Sequence, residues 1–229
     1  MTIIKKNDFV EIEFTGRDSS NNQIFDTTDL KKAKEIGIEN APTIKPLLIS
    51  VGNEMLLKGL DQDLEGKEVG KTYQIHLKPD KAFGKRNPQM IRTYNINSFK
   101  KNNVDPYPGM TLQLDNTIAK IISVSGGRVM IDFNNPLAGR EIDYEYKINK
   151  IISDDNEKIN AIQDFFLKQK YEFKIDKEKN KVIFKEKLIK PLIEMINPKF
   201  KEMTGFDFIV EEDKKENKLI DSKTSKKPQ

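Results

Sequence analysis

Cysteine is absent from the 229 residues, and histidine occurs once. The first absence excludes disulfide staples, thiolate zinc sites and a cysteine nucleophile, and it suits a reducing compartment. The second, added to the first, excludes a His–Cys pair and a His-rich metal site. No P-loop, no GxGxxG after a strand and no GxSxG occurs. Long apolar runs are lacking too: none approaches the roughly 18 residues that span a bilayer. Met1 to Val10 holds two lysines with no apolar stretch behind them, so no secretory signal and a cytoplasmic location are expected. Nor does charge of one sign dominate. There are 40 basic and 36 acidic residues, for a net charge of +4, and the signs are interspersed. That pattern reads as solubility, with no nucleic-acid stripe and no membrane partner expected. The one basic cluster, Lys223 to Pro228, lies in a stretch without apolar periodicity and reads as a disordered tail. What these exclusions leave is binding, or a reaction that needs no acid–base, nucleophilic, metal or cofactor chemistry.

What is present reads as a succession of short elements. Val10, Ile12 and Phe14 alternate with polar residues as a half-buried strand. Asp18 to Asn22 is a turn, followed by a short strand at Ile24–Asp26. Thr28 or Asp29 caps a helix through about Glu35 that stops at Gly37. Pro42 to Val51 is predicted as a strand. The spacing of Leu56, Leu60 and Leu64 predicts a helix from Asn53, its N-cap, to Leu64, closed by Gly66. Gly59 in its middle costs about 1 kcal/mol relative to alanine, which makes sense if another backbone or a ligand comes close. Tyr73, Ile75 and Leu77 alternate as a strand, with His76 on the opposite face as a surface residue.

From Pro88 to Phe133 the texture is that of a small β-rich module. Strands are predicted at 91–96, 110–114, 118–124 and 129–133, with a helical piece near 98–102 and turns at Asp115-Asn116 and Gly126-Gly127. Ile142, Tyr144, Tyr146 and Ile148 then alternate as a strand. After Ser153 a further unit reads as helix, hairpin around Lys179-Asn180, helix from Pro191 to Met203 stopped by Gly205, and a closing strand at Phe206–Val210. Phe165, Phe166 and Phe206 look like more aromatic surface than so small a core hides, and a homodimer through this unit is one expectation that follows.

One reaction needs none of the missing groups. Rotation about an X–Pro bond meets a barrier of about 18–20 kcal/mol set by amide resonance. The twisted amide is less polar than the planar one, so an apolar pocket favours it without proton transfer. Phe14, Phe25, Leu47, Ile49, Leu56, Leu57, Phe83 and Tyr144 are a candidate lining, although each also reads as core packing. Asp26, directly after a strand phenylalanine, is either a turn residue or a functional carboxylate.

Three stretches carry a resemblance: Ile24-Phe25-Asp26-Thr27-Thr28, then Val51 to Leu60, then Pro79-Asp80-Lys81-Ala82-Phe83-Gly84. They resemble the signature stretches of FKBP-type prolyl isomerases. Asn134-Asn135-Pro136-Leu137-Ala138-Gly139 resembles the NHPLAG stretch of the SlyD branch, and the C-terminal extension resembles the long archaeal members. The resemblance spans about residues 3–152. It implies an α+β fold, an FKBP-like antiparallel sheet wrapped on a short helix, with a β-rich flap insertion and a small α/β C-terminal domain. The implied division is 1–86 with 134–152 as isomerase domain, 87–133 as insert-in-flap chaperone domain, 153–213 as C-terminal domain and 214–229 as tail. It implies catalytic roles for Asp26, Phe25, Phe14, Leu57, Phe83 and Tyr144, and substrate contacts for Leu47, Ile49, Leu56, Leu60, Ala82 and Leu137. Asp26 would face the amide, the Leu57 N–H would hold a substrate carbonyl, and Leu60 would be the floor. Phe14 and Phe83 stand where the smaller members carry tyrosines, Leu47 and Leu60 replace aromatics, and Asn135 replaces the family histidine. No metal-binding tail is present, so no metal is expected. The implied partners are unfolded or partly folded polypeptides and proline-containing peptides. The competing reading is a non-catalytic chaperone or peptide-binding module on the same scaffold.

Overall fold

The computed structural model describes residues 2–37, 44–114 and 117–211. Its centre is β1 (Phe9–Asp18), whose apolar residues at alternate positions face the core. On one edge β1 pairs antiparallel with β3 (Leu47–Ser50) along its first half and with β2 (Ile24–Thr27) along its second. On the other edge it pairs with β9 (Ile142–Ile151), which in turn pairs with β4 (Thr72–Leu77). Ile142, Tyr144, Tyr146 and Ile148 are buried while Glu145 and Lys147 are exposed, as a strand with one wet face requires. Helix α1 (Leu30–Glu35) starts where Asp29 accepts from the Lys31 and Lys32 amides and ends before Gly37 at φ +75°.

The helix on the buried face, α2 (Lys58–Leu64), is shorter than the leucine spacing predicts. Residues 53–57 form turns instead. Gly52 and Glu54 hold φ of +77° and +60°, which no helix accommodates. The buried Asp61 carboxylate accepts from the Gly52 and Glu54 amides, both at 2.8 Å. Asn53 does not cap the helix; its amide donates to Asn7, Ser50 and the Val51 carbonyl. Leu60 and Leu64 are buried on α2, and Leu56 lies outside it. Gly59 is where a close approach demands it: a Cβ there would lie 2.4 Å from Leu77 Cδ2 and 2.9 Å from the Lys81 carbonyl oxygen. The predicted strand from Pro42 is also cut back to Leu47–Ser50. Pro42 lies outside the described residues, and Pro46 has no N–H for a ladder.

The inserted segment forms its own antiparallel sheet in the order β5 (Ile91–Asn95), β8 (Arg128–Asp132), β7 (Thr117–Ser125), β6 (Thr111–Leu114). Ala119, Ile121, Val129 and Ile131 are its core, with Tyr94, Ile96, Phe99, Met110 and Leu112 packed around them. Gly126 and Gly127 both take positive φ, as a two-residue hairpin needs. Helix α3 (Ile96–Lys100) begins two residues before the predicted start because Asn95 accepts from the Asn97 amide. The predicted turn at Asp115-Asn116 and the tail from 214 lie outside the described residues.

Beyond β9, α4 (Asp155–Ile162), capped by Asp154, runs into a π-turn at Gln163–Leu167. The hairpin β10 (Phe173–Asp176) and β11 (Lys181–Phe184) follows, then α5 (Lys190–Thr204) and β12 (Asp207–Val210), parallel to β11. Phe165, Phe166 and Phe206 do not stand free: each is half-buried against the core, Phe166 at 5.3 Å between ring centroids from Phe200. This core is continuous with that of the main sheet.

Candidate active site

A β-bulge builds the site. In the β1–β2 ladder Gly16 pairs with Asp26 and Arg17 with Ile24, so Phe25 is the extra residue. A bulge re-aims side chains, and here the Phe25 ring comes down over Gly16. A Cβ on Gly16 would lie 2.7 Å from Phe25 Cζ and 2.9 Å from the Tyr144 ring. Gly16 also pairs with Tyr144 on its other side, and Tyr144 with Ile75 on β4. Asp26, Gly16, Tyr144 and Ile75 thus form one row across the sheet. Sequence reasoning missed Gly16; its signal was a glycine inside an alternating strand, the usual mark of a bulge or close approach.

Four rings meet along this row, edge to face. Phe14 and Tyr144 are 5.6 Å apart, Phe25 and Tyr144 5.9 Å, and Phe25 and Phe83 5.5 Å between centroids. Phe14 and Tyr144 are buried, whereas Phe25 and Phe83 keep part of their surface open. The other wall comes from loops. Ala82 and Phe83 lie on a turn closed by the Gly84 amide on the Pro79 carbonyl at 2.7 Å. The Gly139 amide donates to the Gly84 carbonyl at 2.8 Å, which brings the Leu137 loop alongside. Asn135 shapes that loop, its side-chain oxygen accepting from the Leu137 amide at 2.8 Å. Leu56, Leu57, Ala82 and Leu137 are half-buried against the same core, with Leu60 and Ile49 fully covered within it. Leu47 is placed elsewhere: it is 39% exposed and lines a groove with Ala161 and Phe165.

Asp26 sits at the open end of the row. Its residue stays exposed, and partial loss of water around the carboxyl pushes its pKa up, against a smaller opposing effect of the Thr27 amide. Burial pushes the Tyr144 phenol up, and the charge of Asp26 adds to this, so the two groups share one electrostatic environment. At the end of β1, Asp18 is held down to about 2 by Ser20 and by its ion pair with Arg140. His76 is on the outer face with nearly half its side chain exposed, between Asp143 at 2.7 Å and Glu141 at 3.1 Å. Among the described residues no group of His, Asp and Glu could hold a metal ion, and no described helix is long and apolar enough to cross a membrane. The row offers one carboxyl at the edge of an aromatic and aliphatic wall, an arrangement suited to binding an apolar, polarised group.

A family model described as FKBP-type peptidyl-prolyl cis-trans isomerase matches residues 2–100. Another, described as FKBP26, IF domain, matches residues 94–137. The chain is 29% identical over 152 residues to the short-type peptidyl-prolyl cis-trans isomerase of Methanocaldococcus jannaschii, covering 66% of this chain and 96% of that protein. It is 30% identical over 112 residues to the FKBP-type 16 kDa peptidyl-prolyl cis-trans isomerase of Escherichia coli K12, covering 47% of this chain and 74% of that protein. To the FKBP-type isomerase SlyD of Haemophilus influenzae it is 29% identical over 116 residues, which cover 48% of this chain and 60% of that protein.

Proposed function

This chain belongs to the FKBP-type peptidyl-prolyl cis-trans isomerase family, and from that premise we propose that its aromatic row twists X–Pro amides in unfolded polypeptides while the inserted sheet holds the client. The observation that carries the reading is the set of four rings and one raised carboxyl around Gly16. The planar amide owes its barrier to a resonance form with negative charge on oxygen. Apolar walls disfavour that form, and the field of Asp26 disfavours it further. Both effects act on the ground state and fade as the amide twists, so the barrier falls without any proton moving. The Leu57 N–H, at the start of α2, holds the carbonyl of the preceding or following peptide unit.

Residues 1–86 with 134–152 act as the isomerase unit, 87–133 as the holding unit and 153–213 as an accessory unit. Support for holding comes from the apolar side chains that the inserted sheet leaves open, Ile118 at 62% and Met130 at 39% exposure among them. Cytoplasmic polypeptides are the clients, without nucleic acid or membrane. A homodimer through the accessory unit, supported there by Leu188 and Met195 at 89% and 71% exposure and not by the packed phenylalanines, completes the reading, and light scattering that gives a monomer at high concentration removes it.

The deciding experiment is a proline-limited refolding reaction, slow enough uncatalysed to follow by hand over tens of seconds. The intact protein accelerates it, and Asp26→Ala loses most of that acceleration. Acceleration unchanged in the variant keeps the enzyme and removes Asp26 from the mechanism. No acceleration, together with slower client aggregation, leaves the binding-module reading, which the missing hydroxyls at Phe14 and Phe83 favour. Ile118→Asp with Met130→Asp reduces suppression of aggregation and leaves turnover of a short proline peptide within about twofold, since surface changes of this kind disturb the fold little.

A further inference from the structure

A second groove, of about 670 Å³, runs between β3 and the C-terminal unit. Pro46, Leu47, Leu48 and Ile49 form one wall, with Ala161 and Phe165 opposite. Neighbouring residues of a strand point to opposite faces, so a groove that touches three strand residues in succession, Leu47 to Ile49, runs along the strand's edge. That edge is open: among the described residues β3 pairs with β1 alone. The Ser50 amide points away from β1, to Met55 Sδ at 3.2 Å. Backbone groups alternate between the two edges in an antiparallel ladder, so the N–H and C=O of Leu48 also face outward, into the groove.

The rim carries Lys45, Lys168 and Lys170 against Glu11 and Asp164. Lys150 already pairs with Glu11, and Lys170 with Asp164. Lys168 stands 4.8 Å over the Phe165 ring. Met55 lines the groove and directly precedes Leu56 and Leu57, which belong to the other wall of the aromatic row.

We propose that this groove is a second client subsite, which seats an extended apolar segment bearing acidic residues as an added strand on the free edge of β3. The proposal rests on the reading of the row as a prolyl site, since the segment belongs to the client whose proline enters that row. Main-chain hydrogen bonds to Leu48 give affinity without sequence preference. Leu47, Phe165 and the lysines give the preference for apolar and acidic side chains. The accessory unit thereby contributes a wall to the binding surface.

Two substrates test this: a proline tetrapeptide that fills the row alone, and a twelve-residue proline peptide with an apolar, acidic extension. Turnover of the tetrapeptide by the intact protein tests the prolyl site separately. Lys168→Glu with Lys170→Glu raises KM for the long peptide by about fivefold, the scale of a pair of surface charges reversed, and leaves tetrapeptide turnover within about twofold. Hydrogen exchange gives the independent readout: the Leu48 amide gains protection with the long peptide and none with the tetrapeptide. If the tetrapeptide is turned over while Leu48 stays unprotected and the two KM values move together, the subsite is overturned. If the tetrapeptide is not turned over, the fault lies with the prolyl site, and Leu48 protection alone then decides whether the groove binds chain.

Discussion

At Gly16 the whole site depends on the lack of one carbon. The Phe25 and Tyr144 rings occupy the space a Cβ would take, so Gly16→Ala must push one of them off its rotamer. Overpacking of this kind costs about 1–3 kcal/mol. Urea unfolding should show that loss, and kcat/KM on a proline peptide should fall with it, because the displaced rings are the proposed cleft. Asp26 makes the opposite bargain. Its folded-state pKa is raised by loss of water, so its contribution favours the folded state at pH below its unfolded value and is lost as pH rises through the folded one. Asp26→Asn therefore stabilises the protein at pH 7 relative to the wild type, has less effect at pH 3, and lowers isomerase activity. Melting curves at the two pH values check the sign. The single histidine provides an internal control. Asp143 first, then Glu141, raises the pKa of His76, so its contribution is present below about pH 6.5, the ordinary value, and disappears as pH rises above it. At this exposure it amounts to about 0.5 kcal/mol or less. The only imidazole signal in the proton spectrum reports its titration, and His76→Gln removes that part of the pH dependence.

Elements with one wet and one buried face were legible in the sequence, because alternation and turn residues act locally. β1, β4, β9 and the hairpin at Asn180 follow from their own residues, and so do the caps at Asp29 and Gly205. α2 was not legible in the same way. Leu56, Leu60 and Leu64 keep helical spacing, yet Asp61 reaches back from inside the helix to hold the Gly52 and Glu54 amides in turns. That bond spans up to nine residues, and no local propensity announces it. The site was partly legible for the same reason. Phe14, Phe25, Phe83 and Tyr144 were readable as apolar candidates and their rings meet, but Gly16 became visible only once the register was known, and the loop role of Asn135 only once its amide partner was. Asp61→Ala leaves two loop amides unsatisfied, at about 1–3 kcal/mol when such groups are buried, and loosens the segment carrying Leu56 and Leu57. A lower denaturant midpoint with a raised KM is the expected pair of results. Gly59→Ala gains about 1 kcal/mol of helix propensity and still destabilises, because the new carbon meets Leu77 and the Lys81 carbonyl.

Across the whole molecule, holding and twisting can cooperate only if the inserted sheet stays near the aromatic row. The two chain crossings between them are tied by the buried Asn134 side chain and by the Arg86–Asp132 ion pair. Asn134 accepts from the Asn87 amide at 2.8 Å and donates to the Asn87 carbonyl at 3.0 Å. Asp132 accepts from Asn134 in turn and pairs with Arg86 on the other crossing. A client held on the inserted sheet meets the row as an intramolecular partner, at an effective concentration set by the reach and stiffness of this joint. Asn134→Ala removes both bonds to Asn87, leaves the Arg86–Asp132 pair in place, and touches neither surface. Isomerisation of a tetrapeptide, which visits only the row, should stay within about twofold. Catalysis of a proline-limited protein refolding reaction should fall several-fold, because a looser joint dilutes the held chain around the row. Equal loss on both substrates would instead mean that Asn134 supports the row itself through the Leu137 loop. No loss on either would mean that clients reach the row without being held first.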